Sequence, residues 1–102
     1  MTHTKATPGP WHLDKTANMN GISIQDVRGY RVANCRSYSR TIPRSEALSN
    51  AALIAAAPDL YESLRGLLAD ITEYQELNNL GGKNNHWQVT ARAAIARATG
   101  AV

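Results

Sequence analysis

The side chains best suited to chemistry in this chain are arginines that crowd one short segment. Five arginines fall within 17 residues, with tyrosines among them: Arg28, Arg31, Arg36, Arg40 and Arg44, with Tyr30 and Tyr38. Guanidinium groups bind phosphate oxygens through paired hydrogen bonds, and aromatic rings stack on nucleobases. With Trp11 as a third stacking candidate, the cluster predicts a site for a phosphorylated nucleotide. A solvated β-surface that carries arginines is the alternative.

No arrangement of residues indicates catalysis. The histidines His3, His12 and His86 are scattered without metal-ligand spacing, and no serine lies in a Gly-x-Ser-x-Gly turn. The single Cys35 cannot form an internal disulfide. We therefore expect a non-enzymatic protein that holds neither a metal nor a cofactor. A site assembled across subunits would not show in the sequence of one chain.

Length and hydropathy indicate a small globular protein. The chain has 102 residues, of which 43% are hydrophobic and 19% charged, so an interface between copies could supply much of its buried surface. No apolar stretch approaches the ~18 residues that span a bilayer, and the N-terminus lacks the apolar core of a signal peptide. These features predict a cytoplasmic protein without a membrane partner.

Charge is distributed unevenly along the chain. Residues 1–44 hold seven basic and two acidic side chains, residues 45–80 hold one basic and six acidic ones, and the remainder is basic only. This pattern indicates either an anionic partner near the first segment or attraction between unlike segments, within one subunit or between neighbouring subunits.

The residue pattern in the first third of the domain predicts a small antiparallel sheet. Thr7-Pro-Gly-Pro10 cannot be helical, so residues 1–10 are expected to form a flexible tail and residues 11–44 a β-region. Alternation predicts a strand over Trp11–Leu13 and a hairpin of residues 22–26 and 30–36, with a left-handed Gly29 in its turn. On this pattern the buried face carries Ile22, Ile24, Tyr30 and Val32.

The capping residues and apolar spacing in the second half of the chain predict helices. Ser45 is the expected cap of a helix over residues 45–77 that Pro58 breaks, and Asn85 the cap of a final helix over residues 85–99. One apolar seam runs along the broken helix: Leu60, Leu64, Leu67, Ile71 and Tyr74. The seam predicts core packing against the final helix or, alternatively, a contact between subunits. The whole is a single α+β domain over residues 11–102.

Two motifs carry a family resemblance. Thr7-Pro-Gly-Pro-Trp11 and Asn50-Ala-Ala-Leu-Ile-Ala-Ala-Ala-Pro58-Asp59-Leu60 resemble a widespread group of small accessory proteins encoded by bacteriophages and prophages. The resemblance implies a phage gene that acts in the bacterial host cell, where counter-defence is a common role for small non-enzymatic proteins. It carries over no catalytic residue.

Three functions remain open on this basis. The first is an oligomeric binder that sequesters a nucleotide-type immune signal, by analogy with phage proteins that act as sponges. The second is an inhibitor that docks on a host defence protein, such as a CRISPR component, or on a transcription protein. The third is a nucleic-acid-binding accessory protein, which the modest net charge of +3 favours least.

Overall fold

A computed structural model describes residues 5–14, 21–36, 42–78 and 85–100 as three strands followed by three helices, which confirms the predicted α+β class. The strands are β1 (His12–Asp14), β2 (Gly21–Gln25) and β3 (Arg31–Arg36), and they form an antiparallel sheet in the order β1-β2-β3. Residues 15–20, 37–41 and 79–84 lie outside the described residues, as do residues 1–4 of the predicted tail.

The turn between β2 and β3 follows the sequence prediction. The Gly29 backbone N–H donates to the Asp26 carbonyl oxygen at 3.0 Å, and Gly29 has a φ of +85°. An L side chain at that φ would be strained, which is why glycine suits the position. A second bond, from Asp26 N–H to the Tyr30 carbonyl at 2.9 Å, closes the hairpin.

The buried face of β3 differs from the prediction. Ile22 pairs with Cys35 and Ile24 with Ala33, so these side chains share the core face. The register shift between Ile24 and Gln25 leaves Val32 as an extra residue of β3, because Ile24 pairs with Ala33 and Gln25 with Arg31. Val32 therefore lies outside the core cluster, and Tyr30, which follows the turn, is 64% exposed.

The core forms where helix α1 (Arg44–Ala55) crosses the sheet. Ala47 and Ala51 of α1 are fully buried against Ile22 and Ile24 of β2. The small alanine side chains let the helix backbone approach the sheet closely. Each fully buried isoleucine contributes about 1.5–3 kcal/mol from its removal from water.

The predicted break at the proline is present. Helix α1 ends at Ala55, and helix α2 (Ala57–Leu77) starts two residues later with Pro58 in its first turn, where a missing N–H costs nothing. The predicted cap was wrong: the N-cap of α1 is Pro43 without a side-chain hydrogen bond, and Ser45 lies inside the first turn.

The two sequence motifs meet in space. A Cβ at Gly9 would stand 2.6 Å from the Pro58 Cβ, so only glycine allows this approach. Close by in sequence, the Trp11 indole Nε1–H donates to the Thr7 carbonyl at 3.1 Å while its ring packs against the core. The motif Thr7–Trp11 therefore packs, through Gly9, against Pro58 in the first turn of α2.

Helix α3 (His86–Ala98) begins at the predicted cap, because the Asn85 Oδ1 accepts from the Gln88 backbone N–H at 2.9 Å. Gln88 is also its one buried residue, and its Nε2 donates to Gln75 Oε1 of α2 at 2.9 Å. Two compact units result: Thr7–Asp59 holds the sheet and α1, and the residues from Leu60 hold most of α2 and all of α3. A single domain over residues 11–102 stays a prediction.

Candidate ligand-binding site

The hairpin turn is organised around a buried carboxylate. Asp26 is 1% exposed, and its Oδ1 accepts from the backbone N–H groups of Arg28 at 2.9 Å and Tyr30 at 3.0 Å. Its Oδ2 accepts from the Arg28 side chain, at 2.9 Å from Nε and 2.6 Å from Nη2. One side chain thus holds both the backbone of the turn and the direction of the Arg28 guanidinium.

These contacts change the acidity of Asp26. Burial by itself raises the pKa of a carboxyl group, but the hydrogen bonds from the Arg28 side chain and from the Tyr30 and Arg28 backbone, with the Arg28 charge, outweigh burial. The net result is that the pKa of Asp26 lies below its ordinary value near 3.8. Asp26 is therefore an anion at neutral pH and keeps Arg28 in place.

Above the turn, Arg28 and Tyr30 form an exposed cation–aromatic pair. The Arg28 guanidinium carbon stands 4.8 Å from the centroid of the Tyr30 ring, and both side chains are exposed. We call Asp26, Arg28 and Tyr30 the hairpin platform. Asp26 engages Nε and Nη2 of the guanidinium, so Nη1 is the guanidinium nitrogen that this carboxylate does not hold.

The platform has the chemistry of a base and phosphate contact. An exposed tyrosine ring offers a stacking surface for a nucleobase, and a guanidinium held in place loses little entropy when it binds an anion. Arg31 follows Tyr30 at the exposed start of β3 and adds a second positive charge beside the turn.

The other predicted residues are distributed over several elements. Arg36 ends β3, about 16 Å along the strand from Arg31, and Arg44 is the exposed first residue of α1. Arg40 and Tyr38 lie outside the described residues. Trp11 packs on the core. The described structure thus brings Arg28 and Tyr30 into contact, with Arg31 next to them in sequence, and leaves Arg36 at the far end of its strand.

Sequence reasoning missed the role of Asp26. The sequence pattern places Asp26 at the end of the strand over residues 22–26 and at the start of the turn, whereas in the structure its carboxylate orients the candidate site. The backbone contact of Asp26 could have been predicted, because the side chain of an aspartate at the first position of a turn commonly accepts a hydrogen bond from the backbone N–H two residues later. The side-chain hydrogen bonds between Asp26 and Arg28 could not be predicted in this way, because they depend on the geometry of the folded turn.

The second unit contains a cleft between α2 and α3 of about 550 Å³. Arg65 and Arg92 line it together with the acids Glu62, Glu73 and Glu76. Arg65 Nη1 bonds Glu62 at 3.1 Å, and its Nη2 is buried without an acceptor. Because that nitrogen has no accessible surface, Arg65 does not offer the cleft an open donor.

The predicted apolar seam of α2 is largely uncovered. Leu64 is half-buried, whereas Leu60, Leu67, Ile71 and Tyr74 are exposed in the described chain. Helix α2 contains no buried residue. The seam therefore contributes little to the core of a single copy.

The described residues contain neither a metal-ligand cluster nor a membrane-spanning helix. Within residues 5–14, 21–36, 42–78 and 85–100, no three histidine, cysteine, aspartate or glutamate side chains are grouped as metal ligands. Over the same residues, no helix combines the length and apolarity needed to cross a bilayer.

Fold and surface together define a small α+β protein with an exposed cation–aromatic pair and an exposed apolar helix stripe. The chain belongs to the family of Salmonella phage P22 protein Y8K6, whose model matches residues 1–102. It is thus a small phage-encoded accessory protein, as the motif resemblance implied. No curated protein and no solved structure matches the chain.

Proposed function

We propose that this phage protein is a counter-defence factor that acts by binding, as a homo-oligomer that sequesters a nucleotide-type immune signal in the host cytoplasm. The observation that carries the proposal is the hairpin platform. A tyrosine that is 64% exposed stands next to a guanidinium that a buried carboxylate holds in place. The phage family supports the accessory role, and the specific signal is the proposed part.

Each exposed residue of the platform and its neighbour Arg31 has its own contact in this proposal. Tyr30 stacks on the base, while Arg28 and Arg31 bind phosphate oxygens. Arg36, Arg40 and Arg44 remain candidates for further phosphate contacts, and Tyr38 and Trp11 for further stacking. No step requires a nucleophile or a general base, so the nucleotide is released in the form in which it is bound.

The test is depletion of nucleotides from a panel of linear and cyclic species by the purified protein. We expect the wild type to remove at least one species from solution and to release it intact on denaturation. Tyr30→Leu should weaken binding about tenfold or more, since stacking on one ring contributes about 1–3 kcal/mol. Arg31→Gln should have an effect of similar size, since a hydrogen bond to a charged group contributes about 1.5–3 kcal/mol. Both changes keep the four hydrogen bonds of Asp26, while Tyr30→Leu also removes the ring beside the Arg28 guanidinium.

Arg97→Gln is the matched control, because Arg97 is an exposed arginine on α3 in the other unit. It removes the same charge and should leave nucleotide binding unchanged. A wild type that depletes no member of the panel would overturn the nucleotide proposal.

One observation favours the second function, inhibition of a host protein. Trp87 and Val89 of α3 are exposed, and exposed tryptophan is enriched at the centres of protein interfaces. On this alternative, a host defence protein is retained by the wild type from lysate and lost with Trp87→Ser, while Tyr30→Leu has no effect on retention.

A further inference from the structure

Five large apolar side chains form a continuous exposed stripe on α2. They are 45–75% exposed and occur at intervals of seven, four, three and three residues: Leu60, Leu67, Ile71, Tyr74 and Leu77. We call them the α2 stripe. Such intervals place the side chains on one face of the helix. Contiguous apolar patches of this kind mark interaction surfaces on soluble proteins.

The unit that contains the stripe has little burial of its own. In the described residues, α2 has no buried side chain and α3 has only the polar Gln88. Most helix stability in proteins comes from packing of an apolar face, and the α2 face that carries the stripe is open to solvent in one copy. An occupant of the stripe would add that packing, and a second copy of the chain is always present where the protein is made.

We propose that α2 packs against α2 of a second copy, antiparallel, through the α2 stripe. The antiparallel arrangement sets opposite helix dipole ends beside one another. Two facing stripes would bury on the order of 1,000 Å², which reaches the area that a specific interface needs. This proposal deepens the proposed function by naming the surface that joins its copies.

Charge selects the register of the pair. Helix α2 carries one basic side chain, Arg65, against five acidic ones, so like charges must be kept apart. With Leu64 level with Leu67 of the partner subunit, Asp70 lies beside Ser63 of the partner subunit. One heptad further along, the two Asp70 carboxylates would face each other, and like charges at flanking positions are destabilising.

The experiment measures solution mass and dimer dissociation by analytical ultracentrifugation. The wild type should sediment as a dimer, and Leu67→Lys should raise the dissociation constant at least a hundredfold by burying a charge in the interface. Leu53→Lys is the control, because Leu53 is equally exposed but lies on α1 in the other unit. That variant should remain dimeric.

A second variant tests the register and keeps the proposal open to refutation if Leu67→Lys unfolds. Ser63→Lys places an ammonium group beside each Asp70 of the opposite subunit and should tighten the dimer at least about threefold at low salt. The gain should disappear with Asp70→Asn in the same chain.

Three results would overturn the proposal: a monomeric wild type, a host protein in place of the second copy, or unchanged affinity with Ser63→Lys. None of them bears on nucleotide depletion by Tyr30 and Arg31. Conversely, a dimer that depletes no nucleotide would overturn the proposed function and leave the α2 interface standing.

Discussion

At the scale of single residues, Asp26 links the fold to the candidate site. Its carboxylate accepts four hydrogen bonds, two from the turn backbone and two from Arg28. Hydrogen bonds to an ionised acceptor are stronger than neutral ones, so the turn and the direction of the Arg28 side chain depend on the same charge. The site therefore inherits its geometry from a buried residue that no ligand needs to touch.

The lowered pKa of Asp26 predicts a loss of stability in acid. Because the folded pKa lies below the unfolded value near 3.8, the stabilisation is fully present above pH 3.8 and is lost as pH falls through the folded pKa. Thermal unfolding followed by circular dichroism over that range should show this loss in the wild type.

Asp26→Asn removes the titrating group and is expected to lower stability at neutral pH while flattening the acid dependence. Asp70→Asn changes an exposed carboxylate and is the matched control. An Asp26→Asn protein with the same acid profile as the wild type would show that the turn carboxylate does not contribute.

At the scale of elements, local signals were sufficient for most of the secondary structure. The proline break, the Asn85 cap and the Gly29 turn depend on residues near one another in sequence, and each was predicted from them. The buried face of β3 was not predicted correctly, because alternation alone does not show the register shift beside Gln25 that leaves Val32 as an extra residue. Tyr30, which alternation placed on the buried face, is 64% exposed.

Candidate sites were harder to predict than elements. Arginine clustering in the sequence indicates the segment that contains the hairpin platform, but Arg31 and Arg36 lie at opposite ends of β3. The pairing of Arg28 with Asp26 and Tyr30 requires the side-chain geometry of the folded turn. The α2 seam was visible as a pattern, whereas its exposure depends on the depth to which α3 covers α2.

The contact between the two sequence motifs gives a prediction at this scale. Gly9→Ala places a methyl group 2.6 Å from the Pro58 Cβ, so the segment must shift. Overpacking of this kind should cost about 1–3 kcal/mol of unfolding free energy, measured by urea denaturation.

Gly66→Ala provides the comparison, since a Cβ at Gly66 meets no heavy atom within 4 Å. Gly66 lies inside α2, so alanine there should stabilise by about 0.5–1 kcal/mol through helix propensity. Equal stability of the Gly9→Ala and wild-type proteins would show that Thr7–Trp11 does not pack tightly on Pro58.

At the scale of the whole molecule, charge and apolar surface are divided between two parts of the chain. The unit Thr7–Asp59 carries the hairpin platform and an arginine-rich strand, and the unit from Leu60 carries an acidic helix with an apolar stripe. In the proposed function, the first unit binds the anionic ligand and the second joins the copies.

Native mass spectrometry of the protein purified from bacteria tests this account most directly. We predict a species with the mass of two chains plus a bound small molecule, and denaturation should release that molecule as an unmodified nucleotide. Tyr30→Leu should keep the two-chain mass and lose the ligand. A spectrum of bare single chains, with no nucleotide bound or taken up from an added panel, would contradict it.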